Sequence, residues 1–127
     1  MTGRQTEGLL LNKWLWAKHR ESLQWKHPRL GYVPDHKEAK MYSVLLRWVD
    51  AIFIENGVVY LVEAKLTPEF GAVGQLEGYG SLFRSTPEFA VYRNASIQLV
   101  LLTTSYDANV ADLCREKDII YEVFPLE

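Results

Sequence analysis

The chain has little cysteine, no long apolar run and no excess of positive charge, and each deficit excludes a class of protein. A single cysteine, Cys114, excludes internal disulfides and a zinc site made from four cysteines of one chain. No apolar run approaches the ~18 residues of a membrane span. The opening residues MTGRQTEG lack the apolar segment of a signal peptide. We therefore expect a cytoplasmic, intracellular protein without membrane association.

The charge balance argues against strong nonspecific binding of nucleic acids. The formal net charge is −2 and the isoelectric point is near 5.9. A metal-dependent nuclease stays compatible with this balance, because a bound metal would mask several acids. The 127 residues, 48% of them hydrophobic and 24% charged, predict one domain over residues 1–127 that is large enough for a core.

A predicted hairpin organises the middle of the sequence. Two apolar runs flank Asn56-Gly57, which is the strongest short signal for a type I′ turn because both central residues need a positive φ. Counting back from this turn places Asp50 opposite Glu63. Alternation along the strand puts Lys65 on the same face. The hairpin is thus predicted to bring two carboxylates and an ammonium group together.

Two interpretations of this acid pair are open. Like charges that lie opposite each other destabilise a sheet, and a divalent cation with hard oxygen ligands would remove the conflict. Alternatively, Asp50 and Glu63 form a partly exposed pair at the strand ends, neutralised by Lys65 or Arg47. The residues that follow favour the first interpretation.

The order of these residues resembles a known nuclease signature. Asp50 followed by Glu63-Ala64-Lys65 resembles the motif of the PD-(D/E)XK nuclease superfamily, although Val49 stands where the family has proline. The segment Gln75-Leu76-Glu77-Gly78-Tyr79 resembles the Q-x-x-x-Y motif of its RecB-like branch. The three features in this order make the resemblance fairly specific.

The resemblance implies a fold, a reaction and a set of site residues. The fold is an α/β, single-domain, restriction-endonuclease-like fold, a mixed central sheet flanked by helices, with an αβββαβ core plus a C-terminal helix and strand. The reaction is Mg²⁺- or Mn²⁺-dependent hydrolysis of DNA. The implied catalytic residues are Asp50, Glu63, Lys65, Gln75 and Tyr79, and the implied metal ligands are Asp50, Glu63 and the backbone carbonyl of Ala64.

The first helix offers a further acid. It begins either at a capping box formed by Thr2 and Gln5 or at Thr6, and the pattern extends it to about Trp25. Glu7 falls on its apolar face. Glu7 is therefore either a first-turn residue favoured by the helix dipole or a further metal ligand. The opening helix resembles that of Holliday-junction-resolvase-like relatives.

Basic and aromatic residues suggest a substrate surface. Basic side chains with interleaved Trp16 and Trp25 are typical of a surface that follows phosphates and stacks bases. The alternative is a solvated helix face with buried tryptophans. His36 lies in the predicted loop from His27 to Lys40 and is either a metal ligand or a solvated residue. The candidate DNA-binding residues are Lys13, Lys18, Arg20, Lys26, Arg29 and Arg47.

The second half of the sequence predicts alternating elements. A helix carries Gln75 and Tyr79 one turn apart, and it contains four glycines whose cost would be offset by close approach to the sheet or to a phosphate backbone. A buried strand over Ile97–Thr103, a helix capped by Asp107 and a final strand reaching Phe124 follow. A further strand is predicted over Met41–Arg47.

Three functions remain open from the sequence. The first is a metal-dependent nuclease in DNA processing, repair or recombination, of phage or mobile-element type, as a homodimer or in a larger DNA-processing complex. The second is a catalytically silent, nuclease-fold DNA-binding or structural subunit. The third is a nuclease subunit that needs a protein partner. DNA against RNA, and endonuclease against exonuclease action, are left undecided.

Overall fold

A mixed β-sheet forms the centre of the part of the chain that the computed structural model describes, residues 6–31 and 47–126. Within these residues the sheet has five strands in the order β1-β4-β5-β6-β7, and β2 and β3 form a separate ribbon. The helices are α1 (Glu7–His19), α2 (Phe70–Arg84), a 3₁₀ helix (Pro87–Tyr92) and α3 (Ala108–Glu116). The strands are β1 (Leu23–Lys26), β2 (Arg29–Leu30), β3 (Arg47–Trp48), β4 (Ala51–Glu55), β5 (Val58–Lys65), β6 (Ser96–Thr103) and β7 (Ile119–Val123).

The connectivity agrees with the predicted fold class. Strands β1, β4 and β5 pair antiparallel, and β5, β6 and β7 pair parallel through the crossovers that contain α2 and α3. The order α1, β1, β4, β5, α2, β6 reproduces the αβββαβ core, and α3 and β7 supply the C-terminal helix and strand. The α/β fold class is thereby confirmed.

The hairpin between β4 and β5 forms in the predicted register. Asn56 and Gly57 have φ values of 52° and 78°, as a type I′ turn requires. Glu55 lies opposite Val58, and the ladder runs back as far as Ala51, which lies opposite Val62. The chain bends at Asp50, one residue before β4 begins, so the predicted pairing of Asp50 with Glu63 is not part of the ladder.

Apolar side chains alternate to fill a core on each face of the sheet. On one face Ala51, Phe53 and Val62 pack against α1, whose buried residues include Leu10 and Trp14. On the other face Ile52 and Leu61 pack with residues of α2 and α3. Residues two apart in a strand therefore face the same layer of helices, which places Glu63 towards α2 and Ala64 towards α1.

Helix α1 begins as one prediction had it and ends earlier than predicted. Thr6 is its N-cap and accepts a hydrogen bond from the backbone N–H of Leu9 at 3.1 Å. The helix ends at His19, so the prediction that it reaches Trp25 is wrong. The Gln24 side chain donates to the His19 carbonyl at 2.6 Å, and Trp25 pairs with Ile52 in the sheet. A distant strand thus determines where this helix stops.

The glycines of α2 do not fit the predicted close approach to the sheet. A Cβ at Gly71, Gly74 or Gly78 would meet no other atom within 4 Å, and one at Gly80 would meet only Leu99 at 3.8 Å. The loop predicted from His27 onwards contains β2. The predictions for Thr2, Gln5, His36 and residues 41–46 lie outside the described residues.

Candidate active site

The candidate site begins where β4 stops and β5 continues. Residues Glu63 to Lys65 extend beyond the end of β4, so their backbone groups on that side lack a partner strand. The Asp50 carboxylate fills part of this gap, because its Oδ2 accepts the backbone N–H of Ala64 at 2.7 Å. In a strand the N–H and C=O of one residue point to the same side. The Ala64 carbonyl therefore lies on the edge that Asp50 occupies.

Glu63 is held in the interior by a tyrosine. Its side chain is nearly inaccessible, with 5% of the residue exposed, and Tyr79 of α2 donates its hydroxyl to Oε1 at 3.0 Å. Burial and the neighbouring Glu63 carboxylate raise the pKa of Tyr79, so the hydroxyl keeps its proton. The predicted meeting of Tyr79 with the acid pair is thus present as a direct hydrogen bond.

Lys65 lies between two carboxylates. Its Nζ is 3.6 Å from Oε2 of Glu63 and 3.8 Å from Oε2 of Glu69. Burial lowers the pKa of Lys65, but Glu63 and Glu69 raise it by more, so the net shift is upward. The side chain is therefore a fixed positive charge near neutral pH rather than a proton acceptor.

The two acids destabilise each other's charged forms. Burial raises the pKa of Asp50 above its usual value against the opposing hydrogen bond from Ala64. Burial, followed by the charge of Asp50, raises the pKa of Glu63 to about 7. The contacts with the Ala64 N–H, Tyr79 and Lys65 offset only part of the negative charge of Asp50 and Glu63, and a bound cation would offset the rest.

The donor set fits a hard divalent cation. Asp50 and Glu63 contribute carboxylate oxygens and Ala64 a carbonyl, and Mg²⁺ is commonly bound through one or two carboxylates with water and substrate phosphate completing its shell. Residues 6–31 and 47–126 contain no group of three or more His, Cys, Asp or Glu placed to hold a metal. The fit therefore depends on oxygen ligands beyond side chains.

Glu7 approaches the same site from the opposite face of the sheet. It is exposed at the start of α1, and its Oε2 lies 3.4 Å from the backbone nitrogen of Leu66. Its charge acts on both Asp50 and Lys65. The structure thus brings Glu7 near the acid pair, while its role as a metal ligand remains a prediction.

Gln75 and the predicted DNA-binding residues do not cluster around the acid pair as Tyr79 and Lys65 do. Gln75 is exposed on α2 one turn before Tyr79. The exposed Lys26 lies opposite Ala51, and the exposed Arg29 lies opposite Trp48. Arg47 is also exposed and is close enough to lower the pKa of the buried Tyr79, whose net shift is nevertheless upward from burial. The remaining basic candidates lie along α1, which runs from Glu7 at the site towards the hairpin turn: Lys13, Lys18 and Arg20.

The two tryptophans predicted to stack on bases are placed differently from each other. Trp25 is half-buried and packs edge-on against Phe89 at 5.1 Å between ring centroids, as the alternative interpretation expected. Trp16 is 70% exposed beyond the middle of α1. The predicted single basic and aromatic surface is therefore split between two ends of the sheet.

The sequence interpretation missed two residues of this site. Glu69 shares Lys65 with Glu63, and its spacing of four residues from the lysine is the signal that was available. His27 donates its backbone N–H to the Asp50 carbonyl at 2.8 Å, and its charge lowers the Asp50 pKa, although burial dominates and the net shift is upward. No local signal links His27 to Asp50, because the contact spans residues far apart in the chain.

Comparison with known proteins gives one strong structural match. The chain is similar to the crystal structure of a repair endonuclease from Pyrococcus abyssi, with a TM-score of 0.62 and 12% sequence identity. The match covers all of this chain and about half the length of that one. No family model matches the sequence, and no curated protein matches it. The likeness shows the fold, which is restriction-endonuclease-like.

Among residues 6–31 and 47–126, every helix is too short or too polar to span a membrane.

Proposed function

We propose that this chain is a Mg²⁺- or Mn²⁺-dependent nuclease that hydrolyses DNA phosphodiester bonds in DNA processing or repair. The observation that carries the proposal is the buried Glu63 with Lys65 beside it at 3.6 Å and the half-buried Asp50 bound to the backbone of Ala64. The structural neighbour, described as a repair endonuclease, supports DNA as the substrate and repair as the setting. The membership of the RecB-like branch, suggested by Gln75 and Tyr79, belongs to the same proposal.

Each side chain has a distinct task in this reaction. Asp50, Glu63 and the Ala64 carbonyl would hold the metal, and the chemistry that it would supply is activation of water and neutralisation of charge on the phosphate. The Ala64 N–H fixes the orientation of Asp50, and Tyr79 fixes that of Glu63. Lys65 stays protonated and stabilises the negative charge that develops on the phosphate.

Removing the lysine is the direct test. In Lys65→Ala we expect loss of cleavage of labelled single-stranded, duplex and branched DNA with Mg²⁺ or Mn²⁺, while circular dichroism and metal binding by calorimetry stay close to the parent. Lys117→Ala is the matched control, because Lys117 also pairs with a glutamate, Glu77 at 3.7 Å, but lies on the connection after α3. EDTA should abolish cleavage in both the parent and the control.

The other outcomes separate the remaining functions. Cleavage at the parental rate by Lys65→Ala would contradict the assignment of the site. Metal binding without turnover by the parent would indicate a subunit that needs a partner. Absence of both metal binding and DNA cleavage in the parent would indicate a catalytically silent module.

A further inference from the structure

An exposed tryptophan lies directly beside the candidate site. Trp48 is 53% exposed and precedes Asp50 by two residues, so their Cα atoms are at most about 7 Å apart. Its flanking residue Val49 and the ribbon residue Leu30 are fully buried. The ribbon is therefore anchored in the core while its largest aromatic ring is held towards solvent.

Two side chains contact this ring, His27 just before β2 and Arg29 at its first residue. The His27 ring lies parallel to the Trp48 indole, with 5.0 Å between centroids and 7° between planes. The guanidinium carbon of Arg29 is 5.7 Å from the centroid of the same indole. His27 also binds the Asp50 carbonyl through its backbone N–H. The aromatic surface and the acid pair are thus parts of one rigid arrangement.

The charge around Trp48 differs from that of the whole chain. Residues 26–31 and 47–49 contain Lys26, Arg29 and Arg47 and no acidic residue, and Asp50 follows directly, whereas the chain has a formal net charge of −2. All three basic side chains are exposed. An exposed aromatic ring among cations, next to the acid pair, matches the kind of surface that binds a single nucleic-acid strand.

We propose that Trp48 is a stacking platform for an unpaired DNA base next to the phosphate that the acid pair would engage. The proposal rests on the proposed function. The Cα atoms of Trp48 and Asp50 are at most about 7 Å apart, so the stacked base and the phosphate at the acid pair would belong to the same short stretch of one strand. The base stacks on the exposed part of the indole that His27 and Arg29 leave open, and Lys26 neutralises a flanking phosphate. A fully paired duplex offers no free base to this platform.

The test is a double-mutant cycle between the protein and the DNA. Binding of a labelled single-stranded 12-mer is measured by fluorescence anisotropy in the Glu63→Gln background, so that cleavage does not consume the probe. Adding Trp48→Ala should weaken binding roughly tenfold, whereas Trp48→Phe should retain most of the affinity. An abasic position at one place in the oligonucleotide should weaken the parent by a similar factor and leave the Trp48→Ala protein unaffected.

Tyr106→Ala is the matched control, because Tyr106 is also an exposed aromatic residue, 64% exposed, but lies on the connection between β6 and α3 and is not among the candidate site or DNA-binding residues. It should bind the oligonucleotide like the parent. The proposal is overturned if Trp48→Ala binds as tightly as the parent, if the two losses simply add, or if a blunt duplex shows the same dependence on Trp48. Base-dependent binding without cleavage would support the role of Trp48 and reject only the nuclease proposal.

Discussion

A carboxylate lies at each end of β4: Glu55 is its last residue, and Asp50 directly precedes its first. The pKa values at the two ends are shifted in opposite directions. At the hairpin end, Glu55 accepts hydrogen bonds from Ser22 and from Nδ1 of His19, the latter at 2.6 Å. Burial opposes the shift, but these bonds from Ser22 and His19 lower the pKa of Glu55. At the other end, the pKa values of Asp50 and Glu63 are both raised, first by burial.

The difference separates a structural carboxylate from a candidate functional one. Glu55 finds its donors within the fold and ties the end of α1 to the hairpin. Asp50 and Glu63 also have donors, the Ala64 N–H and the Tyr79 hydroxyl, but burial outweighs these bonds and raises both pKa values. Perturbed carboxylates of this kind cluster at functional sites, although structural networks also produce them. The predictions below test this contrast.

The largest expected difference is in cleavage. Glu63→Gln should lower the rate of DNA cleavage by about a thousandfold, because one of two carboxylates that hold the metal is lost and metal stabilisation contributes several kcal/mol. Glu55→Gln makes the same isosteric change at the other end and should leave the rate within about twofold. Initial rates at saturating Mg²⁺ provide the measurement. An equal loss in both variants would attribute the effect to stability, and a parental rate in Glu63→Gln would remove the residue from the site.

The dependence of stability on pH should differ in sign between the two ends. Glu63 ionises near pH 4.5 in the unfolded chain and near 7 in the folded one. Between these values the unfolded state releases its proton first, so stability falls as the pH rises, by up to about 3 kcal/mol at 1.36 kcal/mol per unit. The lowered pKa of Glu55 gives stability that is present above about pH 4.5 and is lost as the pH falls below it.

Urea unfolding at pH 5 and pH 8 in EDTA measures this contrast. Glu63→Gln should lose much of the fall in stability between the two pH values, whereas Glu55→Gln should keep it. Adding Mg²⁺ at pH 8 should stabilise the parent but not Glu63→Gln, because a ligand that binds only the folded state stabilises it. A parental pH dependence in Glu63→Gln would show that this carboxyl does not carry the raised pKa.

Of the two ends of β4, the sequence predicts more of the Glu63 and Lys65 end, because the turn and the alternation of side chains are local features. The Asn56-Gly57 turn sets the register over ten residues, as far as Ala51 and Val62, and alternation places Glu63 and Lys65 on one face. Asp50 joins them through a bend that the period of two does not predict, because its side chain binds the backbone of Ala64. The Glu55 network could not be predicted, because it depends on where α1 ends and on pairing of β1 with β4, about thirty residues apart. The same limit applies to Trp48, whose exposure depends on the pairing of Arg29 with it across residues 29–48.

The smallest expected effects come from removing one hydroxyl at each end. Tyr79→Phe deletes the hydrogen bond to Glu63 and should weaken Mg²⁺ binding by about tenfold, since groups that orient metal ligands contribute at this level. Ser22→Ala deletes the bond to Glu55 and should leave Mg²⁺ binding unchanged while lowering the free energy of unfolding by about 1 kcal/mol. Isothermal titration calorimetry and urea unfolding of both variants measure the two effects. Unchanged Mg²⁺ affinity in Tyr79→Phe would reduce Tyr79 to a packing residue of α2, and weaker Mg²⁺ binding in Ser22→Ala would remove the distinction between the two ends.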